Sequence, residues 1–222
     1  MYTNPMTDVL AWEKIPRSLR SKFSNETLAK LATYPADWPE VEYVTLSGYL
    51  GYLRNGETGD PHDGHNYATL AVALGSPLSV GNLTISSADT ADHPLINPNW
   101  LTDPADVEVA VAGYKRVREF WQSEAMKPFV IGEEAFPGSH IQTDAQIEDI
   151  IQKSFSSIFH AACTCSMGRV NDPMAVVDSE SRVIGVKGLR VVDASAFPLL
   201  PPGHPQATVC MFTCFFCMNK IS

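Results

Sequence analysis

The sequence predicts an α+β fold, a mostly antiparallel sheet backed by helices. Two observations predict it. Short runs of alternating apolar residues are separated by long irregular connections rather than by crossover helices. Two longer segments carry helical spacing and clear N-terminal signals.

The elements follow in chain order. Residues 1–41 read as a surface-hugging opening that contains Trp12, a helix from Asn25 to Tyr34, and a turn at 35–39 rich in proline. Residues 41–46 have strand character, with Val41, Tyr43 and Leu46 largely alternating. The loop 56–66 holds Asp60, His62, Asp63 and His65, whose spacing fits no ordinary metal site and reads as a solvated turn. Residues 67–74 and 81–87 look like strands parted by Ser76-Pro77. In the second, Leu83 and Ile85 alternate with Asn82, Thr84 and Ser86, which predicts one buried and one wet face. Residues 89–100, with Pro94 and Pro98, must be irregular.

Asp103-Pro104 is a helix start, an N-cap followed by proline at the first helical position. Val107, Val111, Tyr114, Val117 and Trp121 recur at helical spacing to about Ser123, which is core packing rather than chemistry. Thr143 and Gln146 form a capping box that opens a second helix, with Ile147, Ile150, Ile151, Phe155 and Ile158 inward and His160 at its end. Glu133, Glu134 and His140 fall in the loop between the helices, where a place at a substrate mouth is the functional alternative.

A chain of 222 residues can bury a core of one domain or one and a half. Its net charge of -9 argues against nucleic acid or an anionic membrane as partner. Met1 is followed by polar residues and Pro5 rather than a basic-then-apolar leader, and no stretch reaches the roughly 20 apolar residues of a membrane span. A cytoplasmic protein is expected. The five cysteines, Cys163, Cys165, Cys210, Cys214 and Cys217, do not form a disulfide framework or a zinc spacing; they read as small buried apolar residues, with no metal site.

Chemistry concentrates in residues 160–208. His160 lies ahead of the turn Ser166-Met167-Gly168, and His204 is held between Gly203 and Pro205, so its backbone is restricted. An imidazole is the side chain best poised to move protons near neutral pH. His160 and His204 are therefore the candidate catalytic residues.

This stretch resembles the C-terminal signature of the glucose-methanol-choline (GMC) flavoprotein oxidoreductases. The pieces occur in order: His160, Met167-Gly168, Val176-Val177-Asp178, Arg182-Val183-Ile184-Gly185-Val186, the GLRVVDAS run at 188–195, and His204-Pro205. The resemblance continues upstream through residues 67–101. It implies a substrate-binding domain over 1–159 and a signature segment over 160–222 that ends in a remnant of the flavin-domain edge. It also implies that the residue at His160 takes the hydroxyl proton of an alcohol, that His204 bonds the alcohol oxygen, and that Asp193, Ala194, Pro205 and Gln206 approach FAD when a flavin domain is supplied. The G-x-G-x-x-G turn of a dinucleotide site is missing: Gly48 and Gly51, Gly81, and Gly185 with Gly188 all fail the spacing. This chain alone cannot build the usual flavin site.

Three functions follow as expectations. One is the substrate-binding and acid/base portion of a GMC-type alcohol oxidoreductase. Another is a truncated homologue acting without flavin as a cyclase, isomerase or dehydratase on an apolar, polyunsaturated substrate. The third is a non-catalytic relic or binding module. Residues 207–221 are apolar nearly all round, so this last helix is expected to be buried, in its own core or against a second subunit, either a homodimer mate or a separate flavin-domain chain.

Overall fold

The chain divides into two compact units. The first comprises Met1–Ser79 and Trp100–Ser157, the second Val80–Asn99 and Ile158–Ser222. The computed structural model describes residues 7, 9–53 and 58–218.

The first unit is built on a three-stranded antiparallel sheet in the order β1-β2-β3. β1 (Leu10–Glu13) pairs with β2 (Val41–Leu46), and β2 pairs with β3 (Thr69–Leu74), with Val41 opposite both Glu13 and Leu74. Between β1 and β2 run a short helix, α1 (Arg17–Arg20), and α2 (Asn25–Leu31), the latter capped by the Ser24 hydroxyl, which accepts from the Thr27 N–H. The expected helix to Tyr34 stops at Leu31, and the expected strand from Tyr67 begins at Thr69.

After β3 the chain leaves this unit through a ribbon, β4 (Asn82–Thr84) paired antiparallel with β5 (Leu95–Asn97), and returns as α3 (Pro104–Trp121). Helix α3 packs on β3, and Gly113 makes the approach close, since a Cβ there would stand 2.8 Å from Val72 Cγ2. Helix α4 (Asp144–Ser154) packs on α3 and starts with the full Thr143–Gln146 capping box. Ile15, Leu31, Val41, Tyr43, Val109 and Ala112 close the core, each large apolar side chain worth about 1.5–3 kcal/mol on burial.

Polar bonds lock these elements in place. Arg116 on α3 grips the Glu13 carboxylate of β1 through bonds of 3.0 and 2.9 Å, and the Tyr43 hydroxyl donates to the same carboxylate at 3.0 Å. Buried Asp106 accepts the N–H groups of Leu78 and Ser79, both at 2.8 Å, and so fixes the segment that follows β3.

Three expectations are corrected here. The alternation at residues 82–86 does not bury a face: Leu83 is 48 % and Ile85 74 % exposed, because a two-stranded ribbon has no sheet face of its own to cover. Of the expected inward residues of α3, Val111 is buried, while Val107, Tyr114, Val117 and Trp121 are only half-buried; the buried stripe otherwise runs through Ala105, Val109, Ala112 and Gly113. Helix α4 ends at Ser154, where Phe155 turns extended with ψ 152°, so Phe155 and Ile158 are exposed and His160 lies beyond the helix rather than at its end.

The second unit also holds a 3-10 turn (Ala194–Ala196), helix α5 (Gln206–Met218) and three isolated bridges, Met167 to Val177, Val177 to Val183 and Arg182 to Arg190. Its buried apolar residues, among those described, are Val177, Ala196 and Phe197. The chain's own core covers helix α5 only in part, with Val209, Phe212 and Phe216 half-buried; cover by a second subunit is the other expectation. Met211 is 68 % and Phe215 60 % exposed, and Cys210 and Cys214 are exposed too, against the reading of the cysteines as buried. Residues 219–221, the end of the expected terminal helix, lie outside the described residues. No helix among the described residues is long and apolar enough to cross a membrane.

Candidate active site

The site forms where residues 158–167 run beside the 3-10 turn. The N–H of Cys163 donates to the Ala194 carbonyl at 3.1 Å, that of Cys165 to Ser195 at 2.8 Å and that of Met167 to Ala196 at 3.1 Å. These three bonds hold the segment that follows His160 against residues 194–196. Asp193 caps the turn, its side chain accepting from the Ser195 N–H at 2.8 Å. Burial pushes the Cys163 thiol up, with a backbone hydrogen bond from Leu200 acting the other way.

Left-handed residues aim the two imidazoles. Phe159, directly before His160, has φ 64°, and Gly203, directly before His204, has φ 96°. Pro205 follows His204 and opens α5, its carbonyl accepting the Val209 N–H at 2.8 Å; Gln206 is the first helical residue. The result is that the rings of His160 and His204 meet, centroids 4.7 Å apart and nearly perpendicular at 79°. His160 is half-buried and His204 exposed. A pair of adjacent imidazoles on fixed turns can accept a proton at one ring and donate one at the other.

Asp193, Ala194, Pro205 and Gln206 sit in the same unit, beside the segment after His160 or next to His204 in sequence. The other candidates lie in the first unit and are occupied structurally. Asp60 and Asp63 accept the N–H groups of His62 and His65 at 2.9 and 3.0 Å, closing two tight turns. Glu134 accepts from the Tyr114 hydroxyl at 2.6 Å and pairs with Arg118 at 2.8 Å, and Glu133 accepts from Ser139 at 2.7 Å. Among the described residues no group of three or more His, Cys, Asp or Glu could hold a metal ion.

The sequence reading missed an apolar groove of about 360 Å³ on α5, walled by Phe197, Pro201, Met211, Phe212 and Phe215. Phe197 stacks edge-on against Phe212 at 5.5 Å. The signal was present in the helical spacing of Thr208, Met211 and Phe215.

A dinucleotide needs a parallel strand–turn–helix whose N–H groups cradle the pyrophosphate. Both sheets among the described residues are antiparallel, and neither feeds a glycine-rich turn into a helix. The residues present do not fit that group, and no step is derived through it.

A family profile described as GMC oxidoreductase matches residues 77–213. The chain belongs to the GMC oxidoreductase family. It corresponds to the C-terminal part, and the family as a whole is FAD-dependent. Patulin synthase of Aspergillus clavatus is 61 % identical over 210 residues, a match that covers 94 % of this chain and 33 % of that protein. Versicolorin B synthase of Aspergillus parasiticus is 42 % identical over 211 residues, covering 94 % and 31 %. The chain thus spans about a third of the length of the curated relatives it matches. A formate oxidase of Aspergillus oryzae RIB40, studied for the effect of a mutation on its FAD modification, superimposes with a TM-score of 0.79 over 97 % of this chain and 38 % of that one. At 23 % identity that likeness shows the fold.

Proposed function

We propose that this GMC chain is the substrate-binding and acid/base portion of an alcohol oxidoreductase. The observation that carries the reading is the contact of the His160 and His204 rings at 4.7 Å. In it, an unprotonated nitrogen of His160 accepts the hydroxyl proton of the alcohol, and an N–H of His204 donates to the alcohol oxygen. Removal of that proton builds negative charge on oxygen, which a donor already in place stabilises by a few kcal/mol. The carbon-bound hydride leaves to an acceptor that the residues of this chain do not hold. Family membership supports this reading, as does the order of the signature pieces around both histidines.

A second reading is favoured by the names of the relatives. Patulin synthase and versicolorin B synthase are named for the product made rather than as oxidoreductases. The same pair could protonate a carbonyl oxygen at one ring and take a proton from carbon at the other, which isomerises, dehydrates or cyclises a substrate with no change in its oxidation state.

One experiment separates the two. Purified protein is given alcohols and unsaturated carbonyl compounds without flavin, nicotinamide or oxygen, while the imidazole NMR signals and product formation are followed. Under the first reading alcohols shift the signals of both histidines but no product forms. Turnover without any cofactor, lost in His160→Ala, establishes the second reading instead. Alcohols that leave both histidine signals unmoved contradict the first.

A further inference from the structure

We infer that Cys163 and Cys165 form a peroxide-sensitive dithiol whose reversible closure to a disulfide moves the rings of His160 and His204 out of contact. Neither sulfur has a part in the proton chemistry proposed above. Both residues are free thiols and half-buried, so the fold holds them while a small oxidant can still reach them. Residues two apart in sequence have Cα atoms no more than about 7 Å from each other. The turn at Thr164-Cys165 shortens that span toward the roughly 4.4–6.8 Å that a disulfide bridges. The N–H groups of both cysteines point the same way, to the consecutive carbonyls of Ala194 and Ser195.

The backbone at Cys163 is strained. Its φ is 68°, a left-handed conformation that residues other than glycine seldom adopt. Such strain persists where the surroundings over-determine it, and it collects at active sites and switches. Cys163 is also tied to both histidine arms. It lies three residues after His160, and its thiol takes a hydrogen bond from the backbone of Leu200, four residues before His204. Closing a disulfide draws that sulfur away from Leu200 and re-aims the turn that follows His160.

In the closure one sulfur attacks a peroxide oxygen, the O–O bond breaks, and the departing hydroxide is protonated to water. The other sulfur attacks the sulfenic acid so formed, the S–S bond forms, the S–O bond breaks and a second water leaves. Two electrons pass from the thiols to the peroxide, and a dithiol reductant returns them. Burial pushes up the Cys163 thiol, so the first attack falls to Cys165. Control of the histidines rests on the reading under Proposed function, whereas the disulfide itself does not.

The test is native protein treated with hydrogen peroxide, alkylated and cleaved with trypsin. Cleavage after Lys153 and Arg169 releases residues 154–169, which contain Cys163 and Cys165 and no other cysteine. That peptide is expected to be lighter by its two thiol hydrogens and to resist alkylation until dithiothreitol is added. The imidazole NMR signals of His160 and His204 should shift with closure and return on reduction. Cys163→Gly suits the left-handed backbone, so it should fold, keep its histidine signals under peroxide and never show the two-hydrogen loss. Two alkylatable thiols left in residues 154–169 after the exposed Cys210 and Cys214 have been oxidised would overturn the inference. So would a bridge from this peptide to another cysteine, or histidine signals that stay put in the oxidised chain. Closure that moves both rings, in a chain whose histidine signals ignore alcohols, supports the switch and contradicts the alcohol-oxidising reading, so the two failures are distinct.

Discussion

At the scale of single residues, the acidic turn before β3 shows how a suggestive cluster resolves into local bonding. The Tyr67 hydroxyl donates to Asp63 at 2.7 Å, and this bond, with the nearby carboxylate charge, pushes the phenol up to about 12. Losing the proton would break the bond and set a phenolate beside a carboxylate. Asp63→Asn removes the charge, so Tyr67 should ionise at lower pH, back toward the ordinary value of about 10. The check is the phenolate absorbance against pH, and an unmoved tyrosine midpoint would contradict the assignment. The two catalytic candidates were legible because their turn residues are local: Gly203 and Pro205 flank His204 in the sequence itself. The ring-to-ring contact was not, because it depends on backbone bonds from Cys163, Cys165 and Met167 to a segment about thirty residues away. No sequence signal marked Phe159 and Cys163 as left-handed, since neither residue type favours that conformation.

At the scale of elements, what could be read followed from how far apart the determining residues lie. The N-cap of α3 and the capping box of α4 are each set within four residues, and both helices start where the sequence placed them. β1 was invisible, because Leu10–Glu13 becomes a strand only by pairing with Val41–Val44. Burial at the edges is equally non-local, which is why the alternation in β4 promised a covered face that the described chain leaves exposed, and why the all-round apolarity of α5 did not say what covers it. Asp106 is the element-scale test. Its buried carboxylate satisfies two backbone N–H groups, at Leu78 and Ser79. Asp106→Ala strands both, at about 1–3 kcal/mol each. The chain should therefore unfold at clearly lower denaturant concentration with the same slope, whereas an unchanged midpoint would show that the two bonds carry no net stability.

At the scale of the whole molecule, the antiparallel sheet with its helices and the mostly irregular second unit have unequal jobs. The first has a closed core anchored by the Glu13–Arg116–Tyr43 bonds. The second carries the histidines, the family signature and most of the uncovered apolar surface. The ordered signature made the family readable from the sequence. That the ribbon of Val80–Asn99 groups with the C-terminal unit depends on tertiary contacts and left no local trace.

In the proposed function, the adjacent imidazoles of His160 and His204 act as one proton-handling device. The direct measurement is the rate of alcohol oxidation by the chain assembled with a flavin-binding partner, for the parent, His160→Ala, His204→Ala and the double variant. Each single loss should cost about 10²–10⁴-fold, and the double variant should be little worse than the poorer single one, because groups that work as a unit are not additive. Single variants as fast as the parent, or two losses that simply multiply, would contradict it.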